Sequence, residues 1–141
     1  MQTLLIMGPS GSGKTTLMKA ISDDIDVKQS IPQTGLHFIQ IKRLEQLINI
    51  WEADQQLLSI LKDKISGVIL VVDSENVEQI VQLYENYIPV IKKHKYIVLV
   101  NQIGSTKADD RLFQLFKNVY SCDFKDTSST RKIFDDWVIN V

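Results

Sequence analysis

Residues 8–15 read GPSGSGKT and satisfy the pattern G-x-x-x-x-G-K-[ST] in full. No other feature of the chain restricts its fold so strongly. Glycines at these spacings let the backbone turn tightly and aim successive N–H groups at one point. A helix opening there adds its free amides and the positive end of its dipole, which together favour a polyanion. The expected phosphate contacts are Gly8, Ser10, Gly11, Ser12, Gly13, Lys14, Thr15 and Thr16, with Lys14 reaching the β- and γ-phosphates of a nucleotide and Thr15 ligating Mg²⁺. Such a bend works only between a strand and a helix. Residues 3–7 are a short apolar run ended by a Gly/Pro/Ser cluster, as a buried strand would be. From Lys14 to about Ser22 the spacing predicts a helix, with Leu17, Ile21 and Ile25 on one face.

The rest of the chain extends this beginning. Residues 26–35 contain Pro32 and Gly35 and read as a loop. Residues 36–42 (LHFIQIK) and 46–51 (QLINIW) read as two strands joined by a tight polar turn, hence antiparallel neighbours. Residues 68–72 (VILVV) and 96–100 (YIVLV) are continuous β-branched apolar runs, which suit strands covered on both faces in a parallel sheet. Between them Val77, Ile80, Val81, Tyr84 and Ile88 recur at helical spacing, with Ser74 as N-cap and Pro89 as a kink or break. A later helix is expected from Thr106, capped by Thr106 and Asp109 and presenting Leu112, Phe113 and Phe116. Residues 119–122 suit a last short strand, and Ile133, Phe134, Trp137 and Val138 form the stripe of a C-terminal helix. The sum is one α/β domain over 1–141: a six-stranded, mostly parallel sheet with one antiparallel edge strand and helices on both faces. Ligands of such sheets bind beyond the carboxyl ends of the strands.

Composition narrows the partners. A net charge of −1 gives no support for nucleic acid as the main partner. The lysines around His94 read as a solvated helix end. The single cysteine, Cys122, excludes an internal disulfide and suits a reducing cytosol, and it reads as a small buried apolar residue. His37 and His94 have no ligand at zinc spacing. The longest apolar stretch is far too short for a membrane span. Gln2 and the absence of a cysteine near the C-terminus leave no lipid anchor. The expectation is a cytoplasmic protein.

Beyond the phosphate loop, five segments fall in a telling order: IPQTGLHF (31–38), INIWEADQQ (48–56), GVILVVDSEN (67–76), VLVNQIG (98–104) and SCDF (121–124). In this order the chain resembles the Ras/Rab/Arf-type small GTPases over nearly its whole length, closest to Arf-like and prokaryotic members. The resemblance implies a three-layer P-loop NTPase fold, GTP/GDP and Mg²⁺ as ligands, and regulators or effectors that meet the switch regions. Thr34 corresponds to the switch threonine that ligates Mg²⁺, although it abuts Gly35 where the family has one residue between. Glu52 stands for the aspartate of W-D-x-x-G-Q, with Asp54 as the alternative, and Gln56 for the glutamine that positions water. Gln55 replaces that motif's glycine. The base-reading motif N-K-x-D becomes Asn101, Gln102, Ile103 and Gly104, which removes the carboxylate that selects guanine. Ser121, Cys122 and Asp123 correspond to the loop whose backbone amide meets the base.

These departures imply a switch with weak or absent hydrolysis, or a nucleotide-binding scaffold without base preference. Two other readings share the loop. An ABC ATPase calls for a longer chain with a second signature loop. A nucleoside-phosphate kinase calls for several phosphate-clamping arginines, and the chain has only Arg43, Arg111 and Arg131.

Overall fold

The computed structural model describes residues 2–9, 11–22, 27–31, 36–43, 45–52, 63–75 and 80–141. In chain order the elements are β1 (Gln2–Met7), α1 (Lys14–Ile21), β2 (Val27–Ile31), β3 (Leu36–Arg43), β4 (Gln46–Glu52), β5 (Gly67–Asp73), α2 (Ile80–Ile91), β6 (Tyr96–Asn101), α3 (Asp110–Leu115), β7 (Val119–Cys122) and α4 (Thr127–Val138). One sheet of seven strands runs in the order β2-β3-β4-β1-β5-β6-β7. β1 lies parallel between β4 and β5, and β6 and β7 continue in parallel on the β5 side.

The expected three-layer fold is present, with one more strand than the periodicity announced. β2 falls inside the stretch read as a loop and pairs antiparallel with β3 from Val27↔Gln40 to Ile31↔Leu36. A strand of five residues, VKQSI, carries little alternation to declare itself, and its pairing with β3 is what makes it a strand. β3 is also antiparallel to β4, so it alone runs against the rest and lies one place in from the edge.

Period-two alternation divides the core between the two faces. Leu4 and Ile6 of β1 join Ile69 and Val71 of β5 under α1 and α4, whose Leu17, Ile21, Phe134 and Val138 close that side. Leu5 and Met7 join Leu70, Val72 and Val100 under α2 and α3, through Ile80, Leu83, Leu112 and Phe116. Each fully buried Leu or Ile stabilises by about 1.5–3 kcal/mol, so β1, with Leu4, Leu5 and Ile6 all inaccessible, anchors both layers. Across β3 and β4, Phe38 and Trp51 sit opposite each other with ring centroids 4.7 Å apart.

Several helical details differ from the sequence pattern. α2 turns Ile80, Leu83 and Ile91 inward and leaves Val81 53% exposed, while Val77 lies outside the described residues. Pro89 neither breaks nor ends α2, which continues to Ile91. The Ser74 Oγ accepts the Ile103 N–H at 3.0 Å, tying the end of β5 to the loop after β6, while residues 76–79, whose amides Ser74 was expected to cap, lie outside the described residues. α3 begins at Asp110 with Asp109 as its cap, accepting from the Arg111 N–H, and Phe113 is exposed rather than packed. α4 is capped by Asp126, which accepts from the Ser129 N–H.

Two arginines fasten α4. Arg43 of β3 meets the Asp135 carboxylate through both Nε and Nη2, at 3.1 and 2.6 Å. Arg131 donates to the carbonyls of Ala20 and Ser22 at 2.6 and 3.0 Å, satisfying groups that the end of α1 leaves without helical partners. Neither arginine lies at the phosphate loop.

Candidate functional site

β1 ends at Met7, and the chain turns through Gly8 (φ 151°), Gly11 (φ 78°) and Gly13 (φ 108°) before α1 opens at Lys14. Glycine is required for space at two of these positions. A Cβ at Gly8 would stand 2.1 Å from the Val71 carbonyl oxygen, and one at Gly13 would stand 2.6 Å from Asn101 Nδ2. The loop is thus pressed against the ends of β5 and β6. The first helical bond runs from the Leu17 N–H to the Gly13 carbonyl at 2.9 Å, and among the described residues no side chain caps the amides before it. Those amides of Lys14, Thr15 and Thr16 are the donors that an anion at a helix start would use.

Lys14 folds back over the loop, its Nζ 2.6 Å from the Gly8 carbonyl oxygen and 3.4 Å from that of Pro9. The Ser12 N–H closes an inner turn onto the Pro9 carbonyl at 3.2 Å. The Ser12 Oγ is buried with no hydrogen-bond partner among the described residues. A hydroxyl without a partner and a helix start without a side-chain cap among the described residues, with a lysine ammonium in the same loop, suit a phosphate oxygen acceptor.

Two recesses meet here. Gly11, Gly13, Lys14, Thr15, Thr16 and Glu52 line one of about 420 Å³. Glu52 reaches it because β4 is the direct parallel neighbour of β1, with Glu52 opposite Ile6 in register. The acid therefore faces the Thr15 side of the loop, where a divalent cation held by hydroxyl and carboxylate oxygens would sit. The second recess, of about 210 Å³, is lined by Thr16, Asn101, Gln102, Ile103, Gly104, Asp123 and Lys125. Thr16 is common to both, so a ligand with a phosphate end and a planar end can lie across it.

Asn101 holds the junction together. It closes β6, approaches Gly13 through Nδ2, and its Oδ1 accepts the Phe124 N–H at 3.3 Å. Gln102 is fixed from the side: its Oε1 accepts the Ser121 hydroxyl at 3.2 Å, and its N–H donates to the Cys122 carbonyl at 2.9 Å. Ser121 therefore orients Gln102 and is not itself part of either recess wall. Cys122 also stays out of the recesses. It is buried with Sγ 3.7 Å from Thr130 Oγ1. Burial pushes its thiol pKa up; the Thr130 contact opposes this, and the charges of Asp123 and Asp126 add to it. Asp123 lines the second recess, its Oδ1 accepting the Lys125 N–H at 2.9 Å.

Of the residues expected from sequence, Gly8, Gly11, Ser12, Gly13, Lys14, Thr15, Thr16, Glu52, Asn101, Gln102 and Asp123 come together at this end of the sheet. Ser10, Thr34 and Gln56 lie outside the described residues, as does Asp54. Lys125 and Gly104, around which a Cβ would meet none of the described residues within 4 Å, are recess walls that the sequence pattern did not single out. The signal for Lys125 was its place two residues after Asp123, in a turn closed by the Asp123 carboxylate.

The family model described as ABC transporter matches residues 1–133. No curated protein matches in sequence. Among solved structures, the GDP complex of the ADP-ribosylation factor-like GTP-binding protein, the small COPII coat GTPase SAR1 of Encephalitozoon cuniculi, aligns with TM-score 0.70 at 16% identity, over 97% of this chain and 78% of that one. The G domain of the FeoB iron transporter of T. maritima gives 0.68 at 19% identity, over 98% and 99%. The Arl6 BBS3 small GTPase of Trypanosoma brucei with bound GppNp gives 0.70 at 13% identity, over 99% and 96%. Chain length had set an ABC ATPase aside; the match restores that kinship at the level of the phosphate-loop family, while the architecture follows the GTPase form. The chain belongs to the P-loop NTPase family described as ABC transporter, and it carries the phosphate loop of that family on a small-GTPase fold.

Proposed function

We propose that the protein is a small GTPase-like switch that binds GTP or GDP with Mg²⁺ across the Thr16 junction and turns the triphosphate over slowly or not at all. The observation that carries this reading is the meeting of the two recesses at Thr16, one floored by the phosphate loop and the other by the Asn101 and Asp123 loops. Lys14 and the amides opening α1 bind the phosphates. Thr15 and Glu52 hold the cation, which when bound neutralises phosphate charge. Glu52 extends one methylene further than an aspartate would, from a strand in direct register with β1. Gln56 and Thr34 complete the proposal as the residues that position water and sense the third phosphate. Regulators or effectors meet the chain around residues 32–38 and 52–60.

A second reading is favoured by one specific feature. Gly104 has no side chain where a guanine-selecting carboxylate would stand, so a scaffold that binds nucleotide through phosphates with no base preference fits the same pocket. A nucleotide kinase is disfavoured by the arginines: Arg43 and Arg131 hold α4, and Arg111 pairs with Asp109. Titrating GDP, ADP and pyrophosphate by calorimetry separates the readings. A clear preference for GDP supports the switch, equal affinities support the scaffold, and no binding by any of the three removes both.

A further inference from the structure

At the pole opposite the phosphate loop, the starts of β6 and β7 and the outer flank of α4 enclose a groove of about 440 Å³. Its apolar walls are Tyr96, Tyr120, Ile133 and Trp137, and Lys95 and Lys117 stand at its mouth. Tyr120 is 47% exposed. The turn between α2 and β6 adds Lys92 and Lys93, both exposed, and His94. A chain of net charge −1 thus gathers four lysines at one pole, with Asp136 as the acid within the groove.

β7 is also an outermost strand of the sheet. The Asn118 and Cys122 carbonyls point inward, accepting from the Val98 and Gln102 amides at 2.9 Å each. By the two-residue alternation of a strand, the backbone groups of Val119 and Ser121 point outward over the free edge.

We propose that this groove docks an extended acidic peptide from a partner protein, which pairs with Val119 and Ser121 as one further strand, places an apolar side chain between Tyr120 and Trp137, and sets its carboxylates against Lys95 and Lys117. Main-chain pairing supplies affinity in this mode of recognition, and side-chain pockets supply specificity. The lysine cluster selects an acidic sequence and speeds the encounter. The groove opens at the starts of β6 and β7, about one strand length from the phosphate loop, whereas the pairing edge runs up to Ser121, which orients Gln102 of the second recess. The groove's lysines and aromatic slot do not depend on the nucleotide reading.

The test uses a short fluorescein-labelled peptide in which glutamates alternate with valine and phenylalanine, and a control with lysine in place of each glutamate. Fluorescence anisotropy should show binding of the acidic peptide, weakening as salt rises, and none of the control. Lys117→Glu, which leaves the Lys95 contact with the Asn140 carbonyl intact, should weaken binding about two- to fivefold, and Lys95→Glu/Lys117→Glu by about tenfold or more. Amide NMR shifts should centre on Val119, Ser121 and Trp137. Equal binding of both peptides, indifference to charge reversal, shifts confined to the phosphate loop, or tighter binding of a single-stranded oligonucleotide to the same residues would each overturn the proposal.

Discussion

Replacing Gly13 by alanine tests how the phosphate loop is seated, because the structure supplies an internal control in Gly11. Both glycines have positive φ, 108° and 78°. An alanine at either would hold a left-handed backbone at a cost of about 1–2 kcal/mol. Around Gly11 the added methyl meets none of the described residues within 4 Å. At Gly13 it would stand 2.6 Å from Asn101 Nδ2 and 3.3 Å from the Phe124 ring. Asn101 must then retreat and give up its bond to the Phe124 N–H, which adds about 1 kcal/mol. The expected costs are about 2–3 kcal/mol for Gly13→Ala and about 1–2 kcal/mol for Gly11→Ala. For a chain of 141 residues, each kcal/mol moves Tm by about 3 °C, so Gly13→Ala should melt about 6–9 °C below the parent and Gly11→Ala about 3–6 °C below. Thermal unfolding followed by circular dichroism, without nucleotide and with chelator present, measures both. Indistinguishable losses for the two variants would refute the claim that the loop is pinned through Asn101.

Three further outcomes follow from named contacts. Lys14→Ala should weaken triphosphate binding about 10- to 150-fold, the loss of charge-assisted hydrogen bonds of about 1.5–3 kcal/mol, while Gln56→Ala leaves affinity nearly unchanged; comparable effects in a binding titration would remove the role given to Lys14. Arg131→Ala should destabilise by about 1.5–3 kcal/mol in urea unfolding, since two carbonyls at the end of α1 lose a charged donor. Arg43→Ala, which breaks a bidentate ion pair at 16% and 23% side-chain exposure, should cost a comparable amount, about 1–3 kcal/mol, in the same assay, and no loss for either variant would contradict their role in fastening α4. Cys122 should react slowly with iodoacetamide at neutral pH, and faster as pH rises past the ordinary thiol range, because burial holds the thiol protonated. A native rate equal to that in urea would show the thiol to be accessible.

The phosphate loop was legible from sequence because its chemistry is contiguous: eight consecutive residues fix the bend, the ammonium and the helix start. The continuous apolar runs of β5 and β6 were legible for a related reason, since a strand covered on both faces needs no partner to reveal its pattern. Their order also implied the parallel sheet and placed the site at the carboxyl ends of its strands.

What the sequence left open depends on residues far apart in the chain. β2 is a strand because β3 offers its edge, not because VKQSI alternates. Val81 and Phe113 fit a helical stripe as well as their buried neighbours do, and only the line along which each helix meets the sheet decides which of them turns outward. Ser74 also meets the Ile103 N–H, a contact that only the pairing of β5 with β6 brings within reach. Arg131 satisfies α1 across 111 positions of sequence. Local patterns fix which groups a segment can present. The three-dimensional packing decides which distant backbone groups and side chains need them, because each buried polar group takes the nearest partner in space and not the nearest in sequence.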